Sequence, residues 1–187
     1  MAPALYLKVI GPARGVAREV LTVFPIQTRV AGVTFENADG TPRQPFVRRV
    51  RSGDPLTLSR EPENPFDPNA IAVSWADETG TWRRLGYVPR ALASVLAPLV
   101  DDGLGLVGRA VRASKVPRRG LWTPTVWGVR IAIEGDAEAI GPAQRSGLEP
   151  AIAQAIALDE ATPDPGYAPV LGGHRGAEFR SSDGWSA

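Results

Sequence analysis

Short runs of alternating apolar residues, cut roughly every ten residues by Gly, Pro, Asn or Asp, fill most of this chain, and one segment alone carries clear helical periodicity. Ala4–Ile10 alternates Leu5, Leu7 and Val9, turns at Gly11–Gly15 and predicts a hairpin with Val16–Phe24, closed by Pro25. A second β region opens at Thr28 with the Val-rich Arg29–Phe35. Strands are expected at Phe46–Arg51 and Pro55–Arg60 around Ser52-Gly53-Asp54, and at Ala70–Trp75, Trp82–Val88, Leu104–Ser114 and Thr125–Ile133. Between them Leu92, Val95, Leu96 and Leu99 fall on one helical face, with Pro89 before it and Gly103 after it.

Many short strands and a single main helix predict a mainly β (α+β) fold: a closed or nearly closed OB-like β-barrel plugged by that helix. The expected domain spans 28–135, residues 1–27 form an N-terminal β extension, and 136–187 form an acidic, largely flexible tail with a short helix at Leu148–Leu158.

The net charge of +1 conceals a gradient. Residues 28–135 hold fifteen basic and eleven acidic side chains, whereas 136–187 hold three basic and eight acidic. Fourteen of the fifteen are Arg, which suits phosphate contacts, although from charge alone a mixed solvated surface is the more common reading. There are no cysteines, which excludes disulfides and thiolate chemistry. No apolar run of about 18 residues and no secretory leader pattern is evident, so no membrane association and a cytoplasmic location, nucleoid-associated if bacterial, are expected. His174, the one histidine, lies in the expected tail, which argues against a triad built from ordered residues and against His-rich or Cys-rich metal sites. No phosphate-cradling G-x-x-x-x-G-K run occurs. No cofactor is expected.

The most informative stretch is Arg60-Glu61-Pro62-Glu63-Asn64-Pro65-Phe66-Asp67-Pro68-Asn69-Ala70-Ile71-Ala72-Val73, with Val30-Ala31-Gly32-Val33-Thr34-Phe35 before it and Leu85-Gly86-Tyr87-Val88-Pro89-Arg90 after it. These three segments resemble the HIRAN domain family, over about residues 28–135. The resemblance implies an OB-like barrel that grips the unpaired 3′-hydroxyl end of DNA, with aromatic rings stacked on terminal bases, an aspartate accepting from the hydroxyl, and basic or polar groups on the phosphates. By position it implies Phe66 and Phe35 as stacking rings, Asp67 as the hydroxyl-sensing carboxylate, Asn64 as a polar contact to the terminal nucleotide, Tyr87 as a further contact and Arg90 as a phosphate-binding cation. Arg118 and Arg119, in a basic loop near Trp122, add candidate phosphate contacts. Where a family member reads Arg-Tyr-Tyr on its first strand, this chain has Thr34-Phe35-Glu36, losing a cation and a ring and gaining a charge that repels phosphate.

The same residues have plainer readings. Asn64-Pro65 and Asp67-Pro68 are ordinary turn dipeptides, and any Phe is more often core than ligand. The function expected is non-enzymatic binding of single-stranded DNA with a free 3′ end, in repair or replication, with a repair protein or helicase as partner. The alternatives are a protein-interaction module and a metal-dependent nuclease built on Asp67 with Glu61 or Glu63.

Overall fold

The computed structural model describes residues 24–116, 125–136 and 140–161. The expected N-terminal hairpin up to residue 23, the basic loop with Arg118, Arg119 and Trp122, His174 and the end of the tail lie outside the described residues.

Six antiparallel strands form one curved sheet: β1 Ile26–Arg29, β2 Pro55–Arg60, β3 Ile71–Ala76, β4 Trp82–Tyr87, β5 Leu106–Val116 and β6 Val126–Gly135, in the order β1-β6-β5-β2-β3-β4. β1 and β4 are the two edges, and the chain beyond β1 bends to join them. Val30 N–H still donates to Val129 on β6, at 2.9 Å. The next residue, Ala31, exchanges both backbone hydrogen bonds with Tyr87 on β4, at 2.8 and 3.0 Å. This one pair closes the cylinder and satisfies groups that an open edge would leave unpaired. Gly86 sits at the seam, where a Cβ would collide with the Ala31 carbonyl oxygen and come within 2.7 Å of Val30 Cγ1.

Helix α2, Arg90–Asp101, plugs the barrel as its periodicity predicts, burying Leu92, Ala93, Leu96 and Ala97. They join Ile71, Val73, Leu85, Ile131 and Ile133 in one core. β3, read from alternating Ile71, Val73 and Trp75, is buried without alternation from Ile71 to Val73.

Three expectations are corrected. Phe46–Arg51 is not a strand; a short helix α1, Gln44–Val47, leads into it. Pro45 suits a first helical turn, and Val47 and Val50 are buried at a three-residue spacing that fits a helical turn and not a pleat. Gln44 pins α1 to the barrel by donating to the carbonyls of Val33 and Trp127 and accepting from Trp127 N–H. Arg29–Phe35 is a strand only at its start; after the seam Gly32, at φ 70°, turns the chain away. The short helix at Leu148–Leu158 is part of a longer one, α3, Pro142–Ala161. Leu148, Ile152 and Ala155 bury one face of it in the core, and Asp159 clamps it to β1 by accepting three hydrogen bonds from Arg29, two at its carboxylate at 2.9 and 2.8 Å and one at its carbonyl at 3.0 Å. β1 pairs with β6 from its first residues, Ile26 with Ile133 and Gln27 with Ala132. Among the described residues no helix is long and apolar enough to cross a membrane.

Candidate nucleic-acid interface

The loop from Glu61 to Ala70 joins β2 to β3 and is held by its own polar residues. At its base Glu61 N–H donates to Ala70 carbonyl at 2.9 Å. Asn64 Oδ1 accepts from the N–H groups of Phe66 and Asp67, at 3.0 and 3.3 Å, and Asn64 Nδ2 donates to Glu61 Oε2 at 3.0 Å. Asp67 Oδ1 accepts from Asn69 N–H at 2.9 Å. These are the side chain-to-backbone bonds that make Asn and Asp good turn residues. Arg60 fixes the loop to the helix: it donates to the carbonyls of Pro68 and Ala70 and forks onto Asp101 at the end of α2, at 2.9 and 2.8 Å.

A loop this well tied presents Phe66 outward. Its side chain is 86% exposed, an unusual position for a large apolar ring, and it borders an open groove of about 900 Å³. Asn64, Trp82, Arg83, Arg84, Tyr87, Arg43 and Phe46 line the same groove. Tyr87 is its organiser. The guanidinium groups of Arg43 and Arg84 each lie 5.3 Å from the Tyr87 ring centre, and Arg84 donates to the Tyr87 hydroxyl at 2.9 Å. Arg84 also pairs with Glu61 at 2.6 Å. Arg43 is buried and donates to the Gly32 carbonyl at 3.0 Å and to Asn37 Oδ1 at 2.8 Å. Burial lowers its pKa, and the Tyr87 phenol group opposes that shift.

Burial also disfavours the charged form of Glu61, but the Asn64 amide and the charge and N–H groups of Arg84 outweigh it, and its pKa falls below the ordinary glutamate value of 4.5. A carboxylate favoured by the fold stabilises it above that ordinary value, and the contribution disappears as pH falls through the lowered folded-state pKa. Glu61→Gln is therefore expected to cost about 1 kcal/mol at pH 7, since the pair is partly exposed. The loss should shrink as the pH drops below 4.5; urea unfolding of both proteins at about pH 7 and about pH 3 checks this. An equal difference at both pH values would contradict it.

The sequence-derived residues are thus only partly brought together. Phe66, Asn64 and Tyr87 line the groove. Asn64 is engaged by the loop and by Glu61, and the Tyr87 ring is flanked by guanidinium groups. Asp67 keeps one oxygen for Asn69, while its other oxygen lies 3.7 Å from Arg90 Nε, whose side chain is 78% exposed. Neither Asp67 nor Arg90 lines the groove itself. Phe35 is 52% exposed and packs beside Gly32 and Arg43, also off the groove lining. Among the described residues no three Asp, Glu or His side chains converge as metal ligands.

Arg43, Arg84 and Trp82 are groove residues that escaped the sequence reading. Trp82 had a signal, since strand alternation from the core residue Leu85 places it on the opposite face. Arg43 had none; only the turn at Gly32 brings a carbonyl to it.

A Fanconi-associated nuclease 1 homolog from Oryza sativa subsp. japonica is 48% identical over 52 residues, 28% of this chain and 5% of that protein, so the chain spans about one-twentieth of the length of that curated relative. The crystal structure of the HIRAN domain of human HLTF is similar at 18% identity and a TM-score of 0.44, covering 71% of this chain and 89% of that one. A crystal structure of a protein from Lactobacillus plantarum is similar at 23% identity and a TM-score of 0.39, covering 58% of this chain and 91% of that one. The HIRAN domain family pattern matches residues 24–125, which contain the seam, the Asn-Pro-Phe-Asp loop and Tyr87, and the chain belongs to the HIRAN domain family.

Proposed function

We propose that this chain is a non-catalytic DNA-binding module that captures the 3′-hydroxyl end of an unpaired strand, in DNA repair or replication. The observation that carries this reading is Phe66: a residue 86% exposed on a loop that Asn64 and Asp67 brace by hydrogen bonds to its backbone. An exposed ring on a preorganised loop stacks on a base without first paying to order itself. Arg90, exposed and weakly engaged by Asp67, is free to turn toward a phosphate. Asp67 beside the ring supplies discrimination, since its carboxylate accepts from a terminal hydroxyl and repels a terminal phosphate.

The groove arginines support stacking more than charge attraction. Arg83 pairs with Asp77 at 2.8 Å, Arg84 with Glu61 at 2.6 Å, and Glu36, Asp39 and Glu63 also line the groove. These carboxylates favour a second reading, a docking site for a basic peptide of a partner protein. Fluorescence anisotropy with one labelled single strand, ending in 3′-hydroxyl or in 3′-phosphate, separates the cases. The hydroxyl end is expected to bind about tenfold tighter, a difference of about 1.4 kcal/mol. Equal binding of both ends would reduce the module to nonspecific attraction, and no binding at low salt would favour the peptide. Mg²⁺-dependent cleavage of the strand would make the chain a nuclease.

A further inference from the structure

Three tryptophans fall within the described residues, and two are accounted for by packing. Trp75 is buried and donates its indole N–H to Asp54 at 3.0 Å; Trp127 packs against the barrel core. Trp82 does neither. It is 57% exposed, has no part in the core, and lines the same groove as Phe66. An indole left this open forgoes the large burial that usually justifies a tryptophan.

We propose that Trp82 is a second stacking platform, which takes an internal base of the strand whose terminal base rests on Phe66. This rests on the reading of the groove as a strand-end site. The groove volume of about 900 Å³ lies near the top of the range for drug-sized ligands and exceeds what one stacked base occupies. Glu36, Asp39 and Glu63 on its lining are unfavourable neighbours for phosphates, so a strand held there turns its bases inward and its backbone away. Base stacking on a neutral indole is indifferent to those charges and tolerant of sequence. Two rings on separate elements, one on the β2–β3 loop and one at the start of β4, then fix the direction of the strand through the groove as well as its end.

An abasic scan tests the idea. A hexathymidylate with a free 3′-hydroxyl is prepared with one abasic site at each position in turn, and each is titrated against the wild-type chain, Phe66→Ala, Trp82→Ala and Trp82→Phe. The wild type is expected to lose about tenfold in affinity at the terminal position and again at one internal position. Trp82→Ala should abolish the internal sensitivity alone, Phe66→Ala the terminal one alone, and Trp82→Phe should retain both. An unchanged scan in Trp82→Ala overturns the second platform while leaving strand-end binding intact. Sensitivity lost only at the terminus in Trp82→Ala also overturns it, because Trp82 would then merely support Phe66. If the wild type binds no strand, both the platform and the reading beneath it fall.

Discussion

Gly86→Ala is expected to destabilise the chain by about 3 kcal/mol, at the upper end of what overpacking usually costs. The added Cβ would be driven into the Ala31 carbonyl oxygen and against Val30, whose side chain is completely buried. A flexible side chain could swing aside; a carbonyl engaged in closing the barrel cannot. Relief requires separating Ala31 from Tyr87, the pair whose two hydrogen bonds join the sheet edges. For a chain of this size each kcal/mol lowers Tm by roughly 2–4 °C, so a fall of about 6–12 °C is expected by calorimetry. Gly105→Ala is the control: nothing lies within 4 Å of where its Cβ would sit, and its Tm should stay within a degree or two, consistent with a change below about 0.5 kcal/mol. Equal Tm values for Gly86→Ala and wild type would show that the seam is not a tight closure. The seam also concerns the groove, because Tyr87, the ring that Arg43 and Arg84 flank, is the residue that makes the closing bonds.

Phe66→Ala is expected to weaken binding of a 3′-hydroxyl single strand by about tenfold or more, since a base–aromatic stack contributes roughly 1–3 kcal/mol and about 1.4 kcal/mol is one decade. Its stability should hardly change. The ring is largely exposed, and the loop beneath it is held by Asn64, Asp67 and Arg60 through backbone groups that alanine retains. Loss of affinity at constant Tm is the signature of a contact residue. A fall in both would mean that the ring supports the loop, and unchanged affinity would remove it from the site.

How far the sequence discloses this molecule depends on the range of the interaction concerned. β3 and α2 are legible because Ile71, Val73 and Trp75, or Leu92, Leu96 and Leu99, repeat with the period of their own element. The Asn-Pro-Phe-Asp loop is legible because its stabilising bonds run over two or three residues. α1 is misread as a strand because Val47 and Val50 sit in a short segment whose helical turn is imposed from outside, by Gln44 gripping Val33 and Trp127 across the barrel. The continuation of the sheet to Ala31, the turn at Gly32 and the approach of Arg43 to Tyr87 all depend on barrel closure, which no local pattern encodes. Of the two guanidinium groups on the Tyr87 ring, Arg84 comes from the same strand and Arg43 from a distant segment.

The most direct test of the central claim is a two-dimensional NMR titration of the ¹³C-phenylalanine-labelled chain with a short 3′-hydroxyl oligonucleotide, the Phe66 ring signals being assigned by their absence from Phe66→Ala. Strand-end capture predicts that the Phe66 ring protons shift upfield under the stacked base, with far smaller changes at the core-packed Phe24. Saturable binding that leaves the Phe66 signals in place would contradict it.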